Sequence, residues 1–158
     1  RSRHRRREDE RYCSNIDTVQ AALSAFCAGD VTTLRNMLTD DFAFTGPVPQ
    51  PLGKAAFLAL CQAMHTALPD GSFNARDYRE AGDQVTAATE ITGTHTGPLA
   101  IIPGVPTVPA TGKAVRLPPE QMDATLRNGK IARLDVTVPV AGGVPGLYAQ
   151  VGAPLAAH

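Results

Sequence analysis

The sequence predicts an α+β domain in which helices come first and an antiparallel sheet follows. Apolar residues recur at helical spacing through the first 68 positions, and alternating, threonine-rich stretches fill the second half. Tight-turn signals, Asn128-Gly129 above all, join those stretches into hairpins. At 158 residues, with 43% hydrophobic and 19% charged side chains, the chain has the size and composition of one globular domain with a real core.

Element by element, Ser14 followed by Asp17 reads as a capping box, and Ile16, Val19, Leu23, Phe26 and Cys27 form one helical stripe after it. Gly29 ends that helix, and Asp30 caps a second, short one through Leu34, Met37 and Leu38. Asp40 to Phe44 reads as a strand with Phe42 and Phe44 on one face. The prolines at 47, 49 and 51 then permit only a loop. Lys54 to Leu68 is the clearest helix, with Phe57, Leu60, Cys61, Met64 and Leu68 within a narrow arc. Strands are expected over Phe73–Arg79 and Gln84–Thr96, joined at Ala81-Gly82-Asp83, and over Ala114–Arg127 and Lys130–Val138. Leu99 to Lys113, rich in proline, reads as a loop or flap, and Gly142 to Gly152 as a closing helical turn. The domain is thus expected over residues 14–153, with a tail at 154–158.

Residues 1–13 stand apart. Six arginines among the first eleven residues, set against Glu8, Asp9 and Glu10, make a charged leader expected to be disordered, and the absence of an initiating Met suggests a processed or trimmed end. The body then holds 9 basic against 12 acidic side chains. That balance offers nucleic acid no basic surface, and neither a spanning segment nor a signal peptide is visible, so no nucleic-acid or membrane partner is expected. Cys13, Cys27 and Cys61 are odd in number and far apart, as in a reducing, cytoplasmic protein, and no metal-ligand spacing occurs.

The chemistry is expected on the last hairpin. Pairing outward from Asn128-Gly129 sets Arg127 against Lys130, Leu126 against Ile131, Thr125 against Ala132, Asp123 against Leu134 and Gln121 against Val136 on the two faces. The same register sets Ala124 against Arg133, Met122 against Asp135 and Glu120 against Thr137, and a bulge near Pro118-Pro119 would shift its outer end. One face would carry Gln121 and Asp123, the other Glu120, Arg133 and Asp135. Asp135, between Leu134 and Val136, and Asp123 are the candidate general bases, and His95 a candidate oxyanion donor or proton relay. Each has a plainer reading: an Arg133–Asp135 ion pair, a surface carboxylate, a rim histidine. His65 reads as a boundary residue.

The stretches TGTHTGPL (92–99), PATGKAV (109–115), PPEQMD (118–123), NGKIARLDV (128–136) and GLYAQVG (146–152), in this order and spacing, resemble the SnoaL-like polyketide cyclases of the nuclear-transport-factor-2-like superfamily. The resemblance runs over residues 15–153. It implies a cone-shaped barrel of N-terminal helices on a curved antiparallel sheet, a deep apolar pocket, a homodimer or homotetramer, and cofactor-independent aldol cyclisation. In those cyclases the strand after the Gly-Lys-Ile turn bears a histidine three residues past the isoleucine and the catalytic aspartate five past it. Here those places hold Leu134 and Val136, and the histidine after Glu-Gln-x is Asp123.

Together these readings lead to an expected acid–base enzyme acting on a small hydrophobic, polyketide-like molecule without a cofactor. Asp135 or Asp123 would be its base, His95 and Gln121 its orienting groups, and Phe42, Phe44, Phe57, Met64 and Met122 its apolar wall. The alternatives are a non-catalytic binding protein, and an epoxide hydrolase built on Glu120, Arg133 and Asp135.

Overall fold

The computed structural model describes residues 14–155, so the charged leader, Cys13 and the last three residues of the tail lie outside the described region. Helix α1 spans Asn15–Cys27, α2 Val31–Met37 and α3 Lys54–Ala67. The Ser14 hydroxyl accepts the Asp17 N–H at 3.1 Å, and Asp30 accepts the Thr33 N–H at 3.1 Å. These bonds satisfy amide donors that a helix start otherwise leaves free. Gly29, at φ 68°, supplies the left-handed residue that turns the chain between α1 and α2.

The strands are β1 (Leu38–Thr45), β2 (Arg76–Ala81), β3 (Gln84–Thr89), β4 (Thr92–Thr94), β5 (Ala114–Arg116), β6 (Glu120–Arg127) and β7 (Lys130–Thr137), and α4 (Gly143–Gln150) closes the chain. Five of them form one sheet in the order β1-β7-β6-β3-β2, while β4 and β5 make a separate pair. The sheet is mixed, since β1 runs parallel to β7 although every other pairing is antiparallel. The expected strands at 84–96 and 114–127 each split in two. The second breaks where Pro118 and Pro119 lack the N–H a ladder requires.

The helices α1, α2 and α3 pack on one face of the sheet. Their buried stripe meets β1, β3, β6 and β7 in a core that includes Phe26, Phe42, Phe57, Val85, Met122 and Leu134. A second core lies where α4 meets the β4–β5 pair and the proline-rich loop, around Leu99, Val115, Leu117, Leu147 and Tyr148. That loop is ordered by a Leu99–Val108 bridge and by the Ile101 N–H, which donates to the Tyr148 hydroxyl at 3.1 Å.

The decisive irregularity is on β7. Leu126 pairs with Ile131 but Thr125 pairs with Arg133, which leaves Ala132 as an extra, bulged residue. The register expected from the turn therefore holds for Arg127–Lys130 and Leu126–Ile131 and is corrected by one residue beyond them. Met122 faces Val136, Asp123 faces Asp135 and Ala124 faces Leu134. A shift of one reverses every side chain that follows it.

Gly46, just past β1, has φ 117°, and a Cβ there would stand 1.9 Å from the Val136 carbonyl oxygen. Gly46→Ala is expected to pry β1 from β7 and to cost at least about 2 kcal/mol. Urea denaturation of the two proteins checks this, and equal midpoints would refute it.

Candidate functional site

Between the helical layer and the sheet lies a cavity of about 890 Å³ of space free of protein atoms, its open mouth included. All five phenylalanines of the chain line it. Phe57 stands at the centre of the group, with ring centroids 5.4, 4.9 and 4.8 Å from Phe26, Phe42 and Phe44. Phe73 extends the wall from Phe26 at 5.3 Å. Met64 and Met122 also face the space, so the five apolar residues singled out from the sequence share one wall.

Among the described residues, the wall carries only two polar side chains, Thr89 and Glu120. They stand directly opposite one another on β3 and β6. Glu120 falls in phase with Met122, Ala124 and Leu126, the buried side of its strand. It is only 5% exposed, and its Oε1 is buried with no hydrogen-bond partner. Burial with nothing to stabilise the anion pushes its carboxyl up to about 7.

The carboxylates expected to act lie elsewhere. The bulge at Ala132 turns Asp135 away from the cavity, onto the outer face of the sheet. There the Arg133 Nε donates to both of its oxygens, at 3.0 and 2.8 Å, and the Thr45 hydroxyl donates at 2.5 Å. Partial burial pushes the Asp135 carboxyl up, but the bonds from Arg133 and Thr45 outweigh it and hold the group below its ordinary value. Asp123 and Gln121 share this outer face, with Gln121 Nε2 donating to Asp123 at 3.3 Å. Glu120, Arg133 and Asp135 therefore do not converge, because Glu120 points inward and the other two point outward. The expected grouping of these three is corrected by the same one-residue shift.

His95 is fully buried but does not line the cavity. Its Nδ1 accepts the Thr111 N–H at 3.3 Å and lies 2.8 Å from the Thr111 hydroxyl, which ties the end of β4 to the proline-rich loop. Leu134 and Val136, which stand where the cyclases of the resemblance carry their histidine–aspartate dyad, lie on the cavity wall. The sequence offers Glu120 only as part of the group with Arg133 and Asp135. The signal that singles it out is its phase with Met122, Ala124 and Leu126.

Comparison with known proteins agrees with this architecture. The SnoaL-like domain profile matches residues 19–134. No curated protein matched the chain. Among solved structures, a candidate SnoaL-like polyketide cyclase from Jannaschia sp. CCS1 superposes with a TM-score of 0.69 at 19% identity, covering 89% of this chain and 93% of that one. A candidate polyketide cyclase from Xanthomonas campestris pv. campestris superposes at 0.63 with 26% identity, covering 87% and 96%. IdmH from Streptomyces antibioticus, another candidate polyketide cyclase, gives 0.62 at 23% identity over 78% and 90%. The first and third likenesses, at their low identity, speak for the fold.

A carboxyl whose folded value is raised from 4.5 to about 7 binds its proton more tightly when folded, so its contribution to stability is full below pH 4.5 and is lost as pH rises through 7. Relative to Glu120→Gln, the wild type is expected to lose up to about 3 kcal/mol between pH 4.5 and 8. Urea midpoints of both proteins across that range test it. Parallel pH dependences would show that the carboxyl is not desolvated in the folded chain.

Proposed function

The chain belongs to the SnoaL-like domain family, and from that membership we propose a cofactor-independent acid–base enzyme acting on a hydrophobic, polyketide-like small molecule, with Glu120 as its proton-transferring group. The observation that carries the reading is a lone carboxyl, buried and unpartnered, on an otherwise apolar cavity wall. A general base works best when its pKa lies near the working pH, and burial brings Glu120 there.

In the proposed step the Glu120 carboxylate removes a proton from a carbon next to a ligand carbonyl. The electron pair of the broken C–H bond moves onto the carbonyl oxygen as an enolate. The enolate carbon then attacks a second carbonyl of the same molecule, closing a ring and leaving an alkoxide that takes the proton back from the Glu120 carboxylic acid, or the enolate is reprotonated at another carbon by that same acid. The Thr89 hydroxyl, opposite Glu120, is the nearby donor available to a carbonyl oxygen. The phenylalanine wall would hold the carbon skeleton out of water, where a weak base is most effective.

The second reading, a binding protein without catalysis, is favoured by Leu134 and Val136 in the two dyad places. One experiment separates the two. 2-Tetralone, a bicyclic ketone with an acidic CH2, is incubated with the protein in D2O and its exchange is followed by NMR. The enzyme reading expects exchange well above the buffer rate, rising with pH through about 7, as a base with that pKa requires. Glu120→Gln should lower it by roughly a hundredfold or more, whereas the double variant Asp123→Asn, Asp135→Asn should match the wild type. Saturable binding with exchange no faster than buffer would replace the enzyme with the binder.

A further inference from the structure

The cavity wall also limits the charge of whatever it holds. Resting on the reading of the cavity as a small-molecule site, we propose that it selects ligands whose polar end is uncharged, a ketone, phenol or alcohol on an apolar ring skeleton, and rejects the same skeleton bearing a carboxylate.

Three observations support this. Among the described residues, no lysine, arginine or histidine faces the cavity, so a buried anion would meet no countercharge. The side-chain hydrogen-bond donors on the wall reduce to the Thr89 hydroxyl and, when protonated, the Glu120 carboxyl itself. A carboxylate accepts at about four lone-pair sites, so one hydroxyl leaves it largely unsatisfied, and stripping its water is costly. Finally, Glu120 Oε1 is buried and unpartnered, which leaves an acceptor that a ligand O–H could satisfy and that a second anion would only repel. A hydroxyl suits both states of Glu120, accepting from the acid or donating to the carboxylate, whereas a ketone oxygen accepts from the acid or from the Thr89 hydroxyl.

The sequence contains no tryptophan, so naphthalene fluorescence can be read without an indole background. The neutral probe N-phenyl-1-naphthylamine is bound first, and then displaced by 2-acetonaphthone or by 2-naphthoate, which share a ring and differ at the polar end. At pH 8 the ketone is expected to displace the probe at a concentration at least roughly tenfold lower than the naphthoate, the factor expected for one unsatisfied buried group. At pH 6 the preference should narrow, because Glu120 then carries a proton and can donate to the naphthoate, which stays ionised. Glu120→Gln should make the preference the same at both pH values, and circular dichroism checks that this isosteric variant is folded. Equal displacement by ketone and naphthoate at pH 8, with the probe bound, would overturn the charge selection while leaving the cavity reading intact. Failure of the neutral probe to bind at all would overturn both.

Discussion

Strand β7 carries one more residue than its neighbour β6 between Ile131 and Arg133, where Thr125 and Leu126 straddle the extra Ala132. Against its other neighbour the surplus lies on β1, which runs from Leu38 to Ala43 while β7 runs only from Ile131 to Arg133. Bulges of this kind re-aim the residues beyond them. Here they bring Leu134 and Val136 onto the cavity wall and send Arg133 and Asp135 outward. The outward pair is then satisfied: Asp135 accepts the Arg133 Nε–H on both oxygens and the Thr45 hydroxyl, which offset its like charge on Asp123 directly across the ladder. Without the extra residue, Arg133 and Asp135 would face the phenylalanine cluster and be stripped of water there.

The cavity persists because rigid groups frame it. Phenylalanine rings in tilted contact around Phe57 gain about 0.5–1.5 kcal/mol per pair beyond their burial, and their planes keep α1 and α3 from collapsing onto the sheet. The other end is closed by a separate device. Gln150 on α4 exchanges two hydrogen bonds with the backbone of Arg116, at 2.9 and 2.6 Å, much as a neighbouring strand would. Together with the Tyr148–Ile101 bond this fixes α4, whose Val144 and Leu147 contribute to both the second core and the cavity wall. The proline-rich loop thus acts on the site through α4 and does not itself line the cavity.

Much of this was legible because local signals and burial agree. Ser14, Gly29 and Asp30 mark the helix ends by chemistry that neighbouring residues complete, and Asn128-Gly129, both at positive φ, fix the last turn. Helix and strand periodicity marks Phe42, Phe44, Phe57 and Met64 as apolar stripes, and the family resemblance is what implies a pocket between them. Two things were not legible by counting from the turn. The parallel pairing of β1 with β7 depends on contacts between positions about ninety apart, which no local pattern encodes. The bulge breaks the assumption of strict alternation, although the sequence hints at it: Ile131, Leu134 and Val136 are apolar and cannot share one face unless a residue is skipped between the first two. The same phase argument applied to β6 places Glu120 inward with Met122, Ala124 and Leu126.

Glu120 differs from the outer carboxylates in what its surroundings do for it. Asp135 stabilises the fold only while it is ionised, since its bonds to Arg133 and Thr45 serve the anion. Glu120 has no bond of this kind, and in its ionised form it costs the fold free energy at neutral pH. Glutamine or methionine would fill the same space without that penalty. A group that opposes folding, sits on a wall built to exclude water, and titrates near neutrality has the profile of a functional residue more than of a structural one. The type of residue is the same on both faces of the hairpin; the one-residue step at Ala132 sends Asp135 outward to partners that hold its charge, while Glu120, in phase with Met122 on β6, stays on the cavity wall without one.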